Sequence, residues 1–164
     1  CLATSGTVRM GTNKLTLSPH ESFGVLEWGR GRWTYTNRWF WASASGMIDD
    51  HSFGLNLGYG FTDRTPASEN ALFYDRRIHK LESVEFQIPE QSYLEPWTIT
   101  SSDHRCELTF TPVVDRQSQF NLLLVKSVQH QVFGHFSGTV VLDDGSIVSL
   151  TDFPGFAEDV YNRY

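Results

Sequence analysis

The sequence predicts one all-β domain, an antiparallel barrel or sandwich of about eight to ten strands with one or two short helices. Three observations carry that prediction. Apolar and polar residues alternate with a period of two through most of the chain from Trp33 to Leu150. Turn signals separate the alternating runs at a spacing of roughly 8–12 residues. Helix-start chemistry occurs in only two places, at Ser18 and at Asp152. No linker, fixed-period repeat or low-complexity tract divides the 164 residues.

From the N-terminus, Gly6 to Met10 and Lys14 to Leu17 are short extended stretches around the turn Gly11-Thr12-Asn13. In Ser18-Pro19-His20-Glu21, Ser stands at a cap, Pro in the first helical position and Glu at the third. Gly24, Gly29 and Gly31 limit any helix here to a turn or two. Trp33, Tyr35, Asn37, Trp39 and Trp41 then share one face of a strand, with Thr34, Thr36, Arg38 and Phe40 on the other. Over 53–61, Phe53, Leu55, Leu57, Tyr59 and Phe61 oppose a face of Gly54, Asn56, Gly58 and Gly60. Val84, Phe86 and Ile88 alternate with polar neighbours, as do Cys106, Leu108 and Phe110. Leu122 to Val128 and Gln131 to Leu142 read as two β-rich runs. Asp143-Asp144-Gly145-Ser146 is a hairpin turn into Ile147 to Leu150. Asp152 to Tyr164 reads as a short terminal helix capped by Asp152, with Pro154 and Gly155 in its first turn.

Composition excludes several functions. Lys plus Arg is 13 against 19 Asp plus Glu, a net charge of −6, the wrong balance for a protein that tracks nucleic-acid phosphates. Hydrophobic residues at 40% and charged residues at 20% exclude disorder. The apolar run Leu122 to Val125 is far short of the roughly 18 residues of a membrane helix. Cys1 and Cys106 lack a C-x-x-C neighbour and read as free thiols of a reducing, cytoplasmic compartment, although a disulfide between them stays open. Cys1-Leu2-Ala3 has no charged or apolar signal-peptide region. A chain that begins at Cys1 reads as a piece of a longer protein.

Catalytic and metal signatures are weak. His130 and His135 are the only close histidine pair, and their odd spacing puts them on opposite faces of a strand, so no metal site is expected. No G-x-S-x-G elbow and no phosphate loop occurs, and no cofactor is expected. Four other features stand out. The glycine face of 53–61 requires something bulky over it, either an aromatic ring from another strand or a ligand. The Trp-rich face of 33–41 is either core or the wall of an apolar cavity. Asn37, Asn56, Asn70, His130 and Gln131 are polar residues among apolar ones, so each fastens backbone or lines a polar spot in a cavity. Finally, arginines lie between two indoles in Trp28-Gly29-Arg30-Gly31-Arg32-Trp33, a pattern for stacking that locks a barrel end or binds an anion.

Taken as an ordered set, the motifs resemble one family. FGVLEWGRGRW at 23–33, RWFWASASG at 38–46, GLNLG at 54–58 and ENALFYD at 69–75 are joined by PWTITSSD at 96–103, LTFTP at 108–112, HQVFGHFSG at 130–138 and GFAED at 155–159. The chain resembles the C-terminal half of the bacterial DUF2804 family over nearly all of 5–160. Glu27 departs from the expected Asp, and Asp75-Arg76 from the usual Asp-Gly, which predicts a wider turn at 75–77. The resemblance implies a lipocalin-like (calycin) barrel, distantly similar to carotenoid 1,2-hydratase and AttH-like tandem-barrel proteins. It also implies a partner, either an absent N-terminal barrel or a second copy of the chain. The G-x-W triplet Gly31-Arg32-Trp33 fits such a barrel.

Three readings of function remain open. One is a module binding a small apolar ligand, lipid or isoprenoid-like. Another is half of a hydratase or isomerase-like enzyme, whose acid comes from Glu27, Glu69 or Glu158 because protonating a carbon–carbon double bond needs a carboxylic acid beside an aromatic wall. The last is a carbohydrate-binding sandwich with exposed Trp platforms. The expected ligand contacts are Trp39, Trp41, Asn56, and His130 and Gln131, since large rings beside a stripped strand leave a groove. A piece separated from a second barrel is also expected to expose an apolar patch.

Overall fold

A computed structural model describes residues 1–60 and 67–163. Period-2 patterning is realised as strands throughout, and no helix occurs among the described residues. Two short strand pairs come first: β1 (Leu2–Ala3) pairs with β4 (Phe23–Gly24), and β2 (Gly6–Met10) with β3 (Asn13–Leu17). The remaining strands are β5 (Thr36–Ile48), β6 (His51–Tyr59), β7 (Ala71–Tyr74), β8 (Arg77–Lys80), β9 (Val84–Gln87), β10 (Trp97–Ser101), β11 (Cys106–Leu122), β12 (Val125–Val141) and β13 (Ile147–Arg163). They form one antiparallel sheet in the order β8-β7-β6-β5-β13-β12-β11-β10-β9.

That order forces curvature. β8 and β9 are the two edges, yet only residues 81–83 join them. Laid flat, nine strands would hold their edges roughly 38 Å apart, whereas the four steps from Lys80 to Val84 reach at most about 14 Å. The sheet therefore curls into a half-barrel, consistent with a calycin-like barrel. Leu81 N–H donates to Asn70 O and Ser102 N–H to Ser83 O, at 3.1 and 2.8 Å, fastening the link to both sides.

The inner face is filled. Phe53, Leu55, Leu57, Trp97, Phe110 and Phe136 are among its fully buried side chains. Rings also sit on glycines: Phe153 over Gly46, Phe110 over Gly134 and Phe136 over Gly155. A ring over a glycine was the expectation for the 53–61 face, and it is realised on other strands.

Several expectations are corrected. Ser18 to Ser22 makes a single turn, closed by Ser22 N–H to Ser18 O at 2.7 Å, and not a helix. The expected terminal helix from Asp152 is the second half of β13, the described part ending at Arg163 and Tyr164 lying outside the described residues. Asp152 does not cap it but occupies a bulge at φ 47°, where Thr151 and Asp152 oppose Ser137 alone and Ser137 Oγ accepts the Asp152 N–H. Pro154 stands just before β5 joins β13 at Gly155, so its missing donor breaks no rung with β5. Leu122 to Val125 is not strand interior: the chain reverses there, with Leu123 at φ 45° and 88% exposed. The turn at Asp75-Arg76 is not wide either. It has two residues at φ 44° and 66°, held by Asp75 accepting from Ser52 N–H.

The faces of β5 are the reverse of a core-facing Trp row. Phe40, Ala42 and Ala44 pair with Tyr59, Leu57 and Leu55 on the inner side, while Trp41, Ser43 and Ser45 pair with Gly58, Asn56 and Gly54 on the outer side. Trp33 and Tyr35 precede the strand, and Phe61 lies outside the described residues. Gly155 tests the interior. An added Cβ there stands 2.7 Å from the Phe136 ring and from the Ser43 carbonyl. We expect Gly155→Val to destabilise the fold by more than about 2 kcal/mol in chemical denaturation. A loss below about 0.5 kcal/mol would show that the interior is not close-packed there.

Candidate functional site

The inner face is packed with side chains, and an aromatic-lined space open to a ligand lies on the outer face. Residues 26–34 pass over that face and enclose a cavity of about 390 Å³. On the segment side it is lined by Leu26, Glu27, Trp28 and Trp33, and on the sheet side by Asn37, Trp39, Trp41, Asn56 and Glu69.

Each sheet-side ring is pinned. The Trp41 indole N–H donates to Asn56 Oδ1 at 2.9 Å, and Phe156 meets the Trp41 ring edge-on at 4.9 Å. The Asn56 amide donates to Glu69 O and to Glu69 Oε2, both at 3.2 Å. Asn56 is thus committed to holding Trp41 and the 69 backbone, and does not present a free amide. Trp39 donates its indole hydrogen to Glu158, whose Oε1 also accepts the Gln131 amide at 2.6 Å. Burial pushes the Glu158 carboxyl above the ordinary carboxylate range; the Gln131 and Trp39 donors oppose that shift, and the nearby Glu27 charge adds to it.

The glycine face is occupied without any aromatic ring. The Glu69 carboxylate lies over Gly58, and the Cys1 sulfur stands where a Cβ on Gly54 would be. Cys1 is exposed and Cys106 is buried, and both are free thiols. Trp33 turns its ring over Gly29 and Gly31, about 3.4–3.7 Å from where their Cβ atoms would stand.

The structure brings together Trp39, Trp41, Asn56, Glu27, Glu69, Gln131 and Glu158, the first five around the cavity and the last two beneath Trp39. It separates His130. That imidazole is on the inner face, bonded through Nδ1 to Asp115 at 2.8 Å and stacked on Tyr93. His135 is on the outer face, beside Phe133 and Phe156. Trp28 and Trp33 form half of the wall, whereas the sequence suggests a lock on the barrel end or an anion site. Their signal was present, since indoles five residues apart around two glycines can fold back as a loop.

The family model for a domain of unknown function, DUF2804, matches residues 1–164. Neither the curated proteins nor the solved structures hold a match to the chain.

Two substitutions test this arrangement. Asn56→Leu removes the acceptor of the buried Trp41 N–H, and we expect a loss of about 1–3 kcal/mol together with a changed indole fluorescence. For Glu158, the raised carboxyl means that the folded chain holds the proton more tightly than the unfolded chain. Its stabilising contribution is complete below the unfolded value of about 4.3 and disappears as pH rises through the folded one. Glu158→Gln is therefore expected to gain stability relative to the parent between about pH 4 and pH 7. Denaturation midpoints at both pH values that show the opposite trend would refute the assignment.

Proposed function

We propose that this chain, which belongs to the DUF2804 family over residues 1–164, is a binding module that holds a small, mainly apolar ligand in the outer-face cavity. One observation carries the reading: Trp39 and Trp41 are each fixed at the indole nitrogen and face Trp28 and Trp33 across a space of about 390 Å³. That volume suits a small molecule. Rings held by their own hydrogen bonds lose little freedom on binding, so contact with an apolar body is favourable from the start. Glu27 and Glu69 supply acceptors at the rim for a single hydroxyl or amine. A lipid or isoprenoid-like alcohol has this combination of an apolar body and one donor.

A second reading has a specific observation behind it. Glu158 is a buried acid with a raised pKa beside an indole, the pairing that a hydratase or isomerase-like step through a carbocation requires. Against a saccharide platform, Trp39 and Trp41 are half-buried under residues 26–34 and do not stand on an open flat sheet. Leu26 and Trp28 on that segment are 78% and 79% exposed, a surface suited to a second barrel or a second copy of the chain. No helix among the described residues is long and apolar enough to cross a membrane.

Farnesol is a suitable probe, read by quenching of indole fluorescence. We expect saturable binding to the parent, weakened at least about tenfold in Trp41→Ala, the cost of roughly one aromatic contact. Unchanged affinity in folded Trp41→Ala and Asn56→Leu variants would eliminate the cavity as the site.

A further inference from the structure

One end of the inner face carries a cluster of charged and aromatic polar residues. Arg38, Asp115, His130 and Asp159 take inner-face positions on β5, β11, β12 and β13, and Tyr93 from the loop before β10 closes over them. Asp159, 4% exposed, accepts from Arg38 Nε at 2.8 Å, from Arg38 Nη2 at 2.6 Å and from the Tyr93 hydroxyl at 2.7 Å. The Tyr93 ring lies flat on the His130 imidazole, 3.7 Å away and 8° from parallel. His130 Nδ1 meets Asp115 Oδ2 at 2.8 Å. A carboxylate as buried as Asp159 or Asp115 carries a desolvation cost that apolar residues of the same size would not. Two carboxylates and two partners at one place therefore suggest a site more than a brace.

The groups left over define what it could bind. Asp159 is neutralised by Arg38 and accepts from three donors. Asp115 engages His130 Nδ1, which leaves Nε2 as the ring nitrogen open to a ligand. Neither His130 Nε2 nor Arg38 Nη1 has a hydrogen-bond partner among the described residues. Lys126, on the same face of β12, makes no ion pair among the described residues and lies 5.6 Å from the Tyr161 ring centre. These residues border a depression of about 280 Å³. It offers the cationic groups of Arg38 and Lys126 and a ring nitrogen of His130.

We propose that this depression is a second ligand site, separate from the outer cavity, for a small molecule bearing an oxyanion and a hydroxyl group. The oxyanion, carboxylate or phosphate, pairs with Lys126 and Arg38 Nη1. The hydroxyl donates to His130 Nε2, and the Asp115 carboxylate steadies the imidazole as it accepts. The inference does not depend on what the Trp-lined cavity holds.

The test is titration of the protein with glycolate, glycerol phosphate and acetate, read from the imidazole signals of His130 by nitrogen-edited NMR. We expect a saturable shift with glycolate or glycerol phosphate; which of the two binds more tightly identifies the oxyanion. Acetate, lacking the hydroxyl, is expected to bind several-fold more weakly. Lys126→Met, a half-exposed position where folding is not at stake, is expected to weaken binding about tenfold. His130→Gln, followed through the backbone amide signals of β12 because it lacks the imidazole, is expected to remove the preference over acetate. No saturable shift from either hydroxylated probe up to about 10 mM overturns the proposal, as does equal binding by parent and Lys126→Met.

Discussion

Asn70 is the residue on which the architecture depends most. It is fully buried and works in three directions. Its Oδ1 accepts the Gly58 N–H at 2.7 Å, its amide donates to Glu82 O at 3.1 Å, and its carbonyl accepts the Leu81 N–H. It therefore joins β6 to the short link between the two edge strands. A nine-stranded sheet whose edges are three residues apart has to curl, and Asn70 holds the link in the curled state. Replacing it with an apolar residue would leave a buried N–H and a buried C=O without partners, each costing about 1–3 kcal/mol.

Curling has a consequence for function. A half-barrel this tight brings opposite walls into contact, and Trp97, Phe53, Phe110 and Phe136 fill the interior with rings set against glycines. No interior hollow is needed to explain the aromatic content. Ligand space moves to where the sheet has neighbours other than itself: under residues 26–34 on the outside, and along the far ends of β11, β12 and β13, where the inner face turns polar. Strands of 17 residues make this possible, because they extend past the filled part of the barrel.

Period-2 alternation made the strands legible, and the pairing of β5 with β6 placed Trp41 beside the glycine face as expected. It did not reveal which face was inside. On β5 both faces carry rings, Phe40 on one and Trp39 and Trp41 on the other, so hydrophobicity does not discriminate. The small residues Ala42, Ala44 and Gly46 mark the inner side, because opposing rings need that space. The terminal strand was misread for a local reason. Asp, Pro and Gly within four residues are helix-start chemistry in isolation, but here they make a bulge whose meaning depends on Ser137 across the ladder. Tyr93 was out of reach, since its loop has no periodicity. Arg38 was within reach, being in phase with Phe40 and Ala42, whereas Asp115 and Asp159 come to the inner face only beyond bulges that shift the phase of β11 and β13.

That bulge ties the two candidate sites together. Across the ladder His130 pairs with Asp159 and Gln131 with Glu158. Consecutive residues on both strands thus feed opposite faces: Gln131 and Glu158 lie beneath Trp39 outside, and His130 and Asp159 form the polar cluster inside. A strand has a side-chain period of two, so a one-residue slip of β13 against β12 would exchange the faces and bury the wrong carboxylate in each. The register is set upstream, where Thr151 and Asp152 together oppose Ser137 and shift the remainder of β13 by one position. Had Asp152 been paired normally, Ala157 would leave the inner face and Glu158 would enter it opposite His130, in the place of Asp159. A single residue at positive φ, some twenty ångströms of strand away by the usual rise of about 3.4 Å per residue, therefore decides which acid each site receives.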